Sequence, residues 1–406
     1  MIGVGIVPRQ MDALHTWSAR RIAAAVTAGE LSAEEVTRHH LGRMAEHQHL
    51  NAVITPTPDL ALARARERPS GVLAGVPLLV KDIFDTAGVR TTYGSSIFRD
   101  NVPVRSATSV RRLVDAGAIM LGKANLHEFA WGVTSRNKAY GAVVNSVRPD
   151  RIPGGSSGGN ASALAAGLCA IGLGTDTGAS IRLPAAACGV AGFKPAFGSV
   201  PADGLWPLAP SFDHVGPLAR SLDDCALVYG VLRGAPLPVV DASGLRIRQP
   251  APGDVEATTE SFLATAGLPA APPLVRLHLA EVAEVHREIY AVHRDAYDDD
   301  LHAKMAVGLA VGPGERAELV SSLHAWRAAC AAAAAGTWDI LVTPTYPGDL
   351  PSADVPASIE LTDRMTAYTR PVNWLGWPSA VTTDGLMHTG LDEATVLSHA
   401  RAWEAR

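Results

Sequence analysis

Gly154 to Arg182 reads GGSSGGNASALAAGLCAIGLGTDTGASIR: two glycine-dense turns, each carrying serine, with an apolar run between them. Such turns admit several readings. Gly154 to Gly158 matches G-x-S-x-G, the nucleophile elbow of α/β-hydrolases, which requires an apolar strand running into the serine. The approach here, NSVRPDRIP, is polar and broken by proline, so the elbow fails its context. Gly172, Gly174 and Gly178 resemble a dinucleotide-binding fingerprint, but the last interval is one residue too long. Gly117 to Lys123, GAIMLGK, has phosphate-loop spacing, yet Ala124 stands where a magnesium-binding hydroxyl is needed.

The chain has 406 residues, 47% of them hydrophobic, and a net charge of -5. Scattered lysine and arginine leave no footprint for nucleic acid or for an acidic lipid surface. No apolar stretch reaches the ~20 residues of a membrane helix, and the opening MIGVGIVPRQMD lacks the features of a signal peptide. The four cysteines form no CxxC pair, which suits a reduced, cytoplasmic protein. His39, His40, His47 and His49 show no ligand spacing, His286 and His293 lie two turns apart on one helix face, and His127-Glu128 lacks a second histidine, so no metal and no cofactor are expected.

Strand and helix signals alternate. Ser32 and Glu35 form a capping box before AEEVTRHHLGRMAEH. GVPLLVKDIFD reads as a short apolar strand interrupted by Lys81, and ATSVRRLVDAGAIMLGKANLHEF as helix, glycine stop, buried strand and turn. NASALAAGL follows as helix, CAIGLGTD as buried strand and WDILVTPTYPGDLP as strand and loop, with helical signals between residues 281 and 336. Residues 236–273, rich in proline and alanine, read as a surface excursion rather than a boundary. The expected fold class is α/β, a single domain over residues 1–406 with a mixed sheet covered by helices.

The whole pattern PGGSSGGNASALAAGLCAIGLGTDTGASIRLPAAACGVAGFKPAFG, from Pro153 to Gly198, resembles the amidase signature family. GVPLLVKDIFDTAGVRTTYGSS resembles that family's lysine segment and LGKANLHEFAWGVTSRN its acyl-pocket segment. GPLARSLDDCALV and DILVTPTYPG resemble later family segments. The likeness is densest over residues 75–224. It implies the amidase signature fold and a Ser-cisSer-Lys triad: Ser180 as nucleophile, Ser156 as bridging serine in a cis peptide, and Lys81 as base. It implies an oxyanion hole from the N–H groups of Thr177, Gly178, Ala179 and Ser180, with Asp176 organising the turn. Ala130, Trp131 and Gly132 would line the substrate pocket, while Arg182 and Cys188 would be structural.

The residue types fit that chemistry. A serine hydroxyl needs a base to take its proton. Lysine serves only when its pKa falls from ~10.4, which burial can achieve. A hydroxyl between them can donate and accept. Taken singly, Lys81 would read as a snorkelling strand-end lysine, Ser156 and Ser157 as ordinary loop, and Trp131 as core; their ordered combination carries the reading. It implies hydrolysis of a small-molecule amide through an acyl-enzyme. The alternatives are acyl transfer to an amine, a catalytically silent scaffold and an ammonia-producing amidotransferase subunit. A homodimer is left open.

Two departures stand out. Ala179 replaces a glycine usual in the family, which is harmless if its φ is negative and strained if positive; negative φ is expected. The segment 380–406, DGLMHTGLDEATVLSHARAWEAR in its main part, is shorter than the family's, which bears on the pocket and the sheet edge.

Overall fold

A computed structural model describes residues 13–250 and 256–406. The signal-peptide reading of MIGVGIVPRQMD lies outside the described residues. One ten-stranded mixed sheet organises the chain: β1 (Val53–Pro56), β2 (Pro77–Lys81), β3 (Ile119–Ala124), β4 (Ile171–Asp176), β5 (Ala191–Lys194), β6 (His214–Ala219), β7 (Ile247–Arg248), β8 (Ile340–Pro344), β9 (Ser379–Val381) and β10 (Leu386–Gly390). Their spatial order is β1-β3-β2-β4-β6-β5-β9-β10-β8-β7. β2 runs parallel to β3 and β4, and β7 parallel to β8; the other pairs are antiparallel. This is the expected α/β class.

Strands β2, β3, β4 and β6 are buried along their whole length, so burial does not alternate along them, and they are mainly apolar, with Lys81, Lys123, Asp176 and His214 among the buried polar exceptions. Gly158–Ala165 packs on β2, β4 and β6; Leu222–Arg233 packs on β5 and β6. The capping box is present: Ser32 Oγ accepts from Glu35 N and the Glu35 carboxylate accepts from Ser32 N, which starts the helix Ala33–Glu46.

The shortened C-terminal segment still completes the sheet. β9 and β10 form a hairpin between β5 and β8, and Glu393–Glu404 packs against it. The excursion is more structured than its composition suggests. It supplies the edge strand β7 and the helix Thr259–Ala266, which buries Phe262, Leu263 and Ala266. Beyond it, Leu274–His293, Asp299–Leu309 and Pro313–Ala335 pack together as a helical layer. No described helix is long and apolar enough to cross a membrane.

Candidate active site

Parallel pairing brings the carboxyl ends of β2 and β4 together, where open α/β sheets place their ligands. Lys81 ends β2 and is fully buried. Its Nζ donates to Ser156 Oγ at 2.8 Å and to Thr175 Oγ1, near the end of β4, at 2.8 Å. Burial pulls its pKa down to about 7, against the opposing pull of Asp176 and Asp213. The neighbouring Asp82 belongs elsewhere. It accepts from Thr92 N and Oγ1 at 2.9 and 2.6 Å and pairs with Lys123 Nζ at 3.3 Å. Lys123, the lysine with phosphate-loop spacing, is a buried sheet residue donating to Phe84 O and Thr91 Oγ1.

The first glycine turn is held from outside. Ser135 Oγ donates to Gly154 O at 2.8 Å and accepts from Gly158 N at 3.1 Å. Ser156 O accepts from His127 N at 3.3 Å. The Gly155–Ser156 peptide is cis, and Gly154 has φ 72°, a left-handed conformation suited to glycine. Gly159 is required by proximity: a Cβ there would lie 2.3 Å from Asn125 O.

The second turn lies against the first. Ser157 N donates to Ser180 O at 3.2 Å. Asp176 Oδ2 accepts from the backbone of Ile181 and Arg182, while the Arg182 guanidinium and Asn373 Nδ2 close the same buried carboxylate. Arg182 holds the Asp176 pKa well below the usual carboxylate range, overriding the upward push of burial. Asp213 accepts from Thr177 Oγ1, Leu208 N and Ala209 N, bracing the other end of the turn.

Thr177, Gly178, Ala179 and Ser180 line one pocket. None of their backbone N–H groups donates to a protein acceptor among the described residues. Buried N–H groups are nearly always paired, which makes these unpaired donors on a pocket wall exceptional. Ala179 is 2% exposed and its φ is not positive, so alanine sits there without left-handed strain. Ser180 is 7% exposed, and its Oγ makes no hydrogen bond among the described residues. Lys81 and Ser156 are fully buried. No hydrogen bond joins the Ser156 and Ser180 hydroxyls; such contacts commonly tighten only when substrate is bound.

Ala130, Trp131 and Gly132 line the same pocket. Ala130 has φ 61°, and a Cβ on Gly132 would lie 2.3 Å from the His127 ring. Of the residues expected at the site, seven line this pocket, while Lys81 and Ser156 are bonded to each other and are not among its lining residues. The expectation omitted Thr175, Ser135, Asp213 and Asn373, which hold the site, and Lys304, Arg370 and His278, which line the pocket. Cys188 is buried, its Sγ 3.5 Å from Pro153 O.

Comparison with known proteins identifies the family. Residues 35–255 match the profile of the amidase family. A glutamyl-tRNA(Gln) amidotransferase chain of Alkalilimnicola ehrlichii, one of the subunits of that enzyme, is 47% identical over 229 residues, covering 54% of this chain and 47% of that protein. The chain thus spans about half the length of the curated relatives it matches. A solved amidase structure superposes with a TM-score of 0.84 at 28% identity, covering 96% of this chain and 100% of its own. A structure from work on a vestigial protein complex and the origins of an s-triazine catabolic enzyme superposes equally, with a TM-score of 0.84 at 27% identity, covering 96% of this chain and 98% of that one. Because the family profile spans more than half of its residues and the likeness to solved amidases runs over nearly all of them, the chain belongs to the amidase family and is an amidase signature protein.

Proposed function

We propose that this chain is an amidase that hydrolyses the C–N bond of a small-molecule carboxamide. The observation that carries the reading is the 2.8 Å contact between the fully buried Lys81 Nζ and Ser156 Oγ, with the lysine pKa drawn down to about 7. An amine that is neutral near pH 7 can accept a proton. Ser156 gives its hydroxyl proton to Lys81 and takes one from Ser180. Ser180 Oγ then bonds to the carbonyl carbon, and the carbonyl oxygen takes up negative charge beside the four N–H groups of Thr177 to Ser180. Aimed donors of this kind are worth ~3–4 kcal/mol each. The tetrahedral species collapses, and the leaving nitrogen takes the proton back along Lys81 and Ser156. Water enters by the same proton route, releasing the acid and restoring Ser180. The test is ammonia release from simple amides together with fluorophosphonate labelling. Both are expected in the native chain and absent in Ser180→Ala; undiminished turnover in that variant would overturn the reading.

A second reading, in which the chain supplies ammonia within a larger amidotransferase, is favoured by the 47% identity to the glutamyl-tRNA(Gln) amidotransferase chain. The nearly full-length superposition on a solved amidase favours the first. Ammonia release by the isolated chain separates them, because the second reading requires partner proteins for full activity.

A further inference from the structure

The pocket over Ser180 is walled largely by apolar groups, among them Trp131, Leu279 and Val275, yet it also receives two cationic side chains. Arg370 opens the helix Arg370–Leu375, and Lys304 projects from Asp299–Leu309. Each is only partly satisfied by the protein. Arg370 Nη1 donates to Asp363 Oδ1 at 2.6 Å, and no other atom of its guanidinium has an acceptor among the described residues. A guanidinium carries five N–H donors. Lys304 Nζ donates to Trp131 O at 2.9 Å and to Asp300 Oδ2 at 2.6 Å, which leaves one of its three donors unclaimed.

Each of these cations has one carboxylate partner, and that of Arg370, Asp363, lines the same pocket. Asp363 is on the rim, its side chain 49% exposed against 10% for Arg370. Asp300 is shared with His127, 3.6 Å from its Nε2. Arg370 lies against the donor turn itself: a Cβ built on Gly178 would be 4.0 Å from Arg370 Nε. The two cations also act on each other. The charge of Arg370 is among the causes that lower the Lys304 pKa, after burial. His278, in the same pocket, is held down at about 3 by burial, helped by both charges. Beside its one carboxylate partner, each cation keeps donors that the protein does not use, and these donors border the pocket that Ser180 lines, where a ligand anion would find charge-assisted hydrogen bonds.

We propose that Arg370, with Lys304, binds a carboxylate on the substrate, so that the preferred amide is the monoamide of a short dicarboxylic acid. The closeness of Arg370 to Gly178 sets that carboxylate a few bonds from the scissile carbonyl, and the apolar wall takes the methylenes between. This rests on the amidase reading for turnover, but not for binding, so the two can be tested apart.

Binding is read first, by calorimetric titration of the full chain with glutarate. Glutarate should bind the native protein, and Arg370→Gln should weaken it by ~10-fold or more, the usual effect of losing a charge-assisted hydrogen bond. Asp363→Asn frees the guanidinium from its rim partner and should tighten it. Turnover is read as the ratio of kcat/KM for glutaramate to that for pentanamide. The ratio should exceed one in the native protein and fall by ~10-fold or more in Arg370→Gln. Thermal unfolding of each variant distinguishes lost recognition from lost fold, and Arg370→Lys, keeping the charge, should recover part of the ratio. Glutarate binding without turnover of either amide would sustain this inference and sink the amidase reading. Turnover of pentanamide at least equal to that of glutaramate, with glutarate binding absent or equal in native and Arg370→Gln proteins, would overturn the inference and leave the amidase reading standing.

Discussion

Lys81 and Ser156, far apart in the chain, meet at 2.8 Å with neither side chain open to solvent. Thr175 Oγ1 takes a second hydrogen bond from the same Nζ, so the amine at the end of β2 is held between a hydroxyl of β4 and one of the first glycine turn. A lysine so placed has no acidic partner within hydrogen-bond reach among the described residues, and this makes it a candidate base rather than half of an ion pair.

Removing either member of that pair should slow the reaction without unfolding the protein. Lys81→Met and Ser156→Ala are each expected to lower kcat by ~10²–10⁴, the usual span for a positioned proton-transfer group. Ammonia release measured beside thermal unfolding checks this. Full activity in either variant would remove that residue from the relay.

The pH profile follows from the protonation state required. Only neutral Lys81 accepts a proton, and burial brings its pKa to about 7, so kcat/KM should rise with pH through that value and then level off. Thr175 accepts from the amine and favours its charged form. Thr175→Val should therefore move the rising limb to lower pH. A limb that stays in place would show that another group governs it.

Ala179→Gly should change kcat/KM by less than about threefold. The backbone at residue 179 is not left-handed, so glycine relieves no strain and adds no donor. Steady-state kinetics of the variant checks this; a large gain would mean that the side chain itself obstructs the donor turn.

Arg182 is fully buried against Asp176 at 2.9 Å and also reaches Asn373. Arg182→Met strands a buried carboxylate and should cost ~3–5 kcal/mol of stability. Urea unfolding measures it. A loss below about 1 kcal/mol would mean that Asp176 finds other partners or is reached by water.

Gly159→Ala should also destabilise the chain, because the added methyl meets Asn125 O at 2.3 Å and Ala52 O at 2.7 Å, both rigid backbone atoms. Overpacking costs ~1–3 kcal/mol even where side chains can yield. Soluble yield and thermal unfolding report it, and native-like values would show that the helix Gly158–Ala165 can shift as a body.

What was legible in the sequence was local. Ser32 and Glu35 carry their own hydrogen-bonding geometry, so the capping box and its helix could be read directly. The apolar runs of β3 and β4 marked buried strands because their residues do not alternate between apolar and polar, and both are buried throughout. The two serine turns and the lysine segment were readable because several unusual residues recur in order within each. β5 and β9, of four and three residues, are too short to carry a period, and their identity comes from the neighbours that pair with them. Asp213 reaches Thr177 only because β6 lies beside β4. Lys304 meets the Trp131 carbonyl across 173 residues, and Arg370 reaches the donor turn because a separate helix is folded over the sheet ends. Each of these is a single polar residue in an otherwise ordinary segment. A lone charge has no spacing to betray it, and its partner is set by the order of strands and the packing of layers, which only the folded chain supplies.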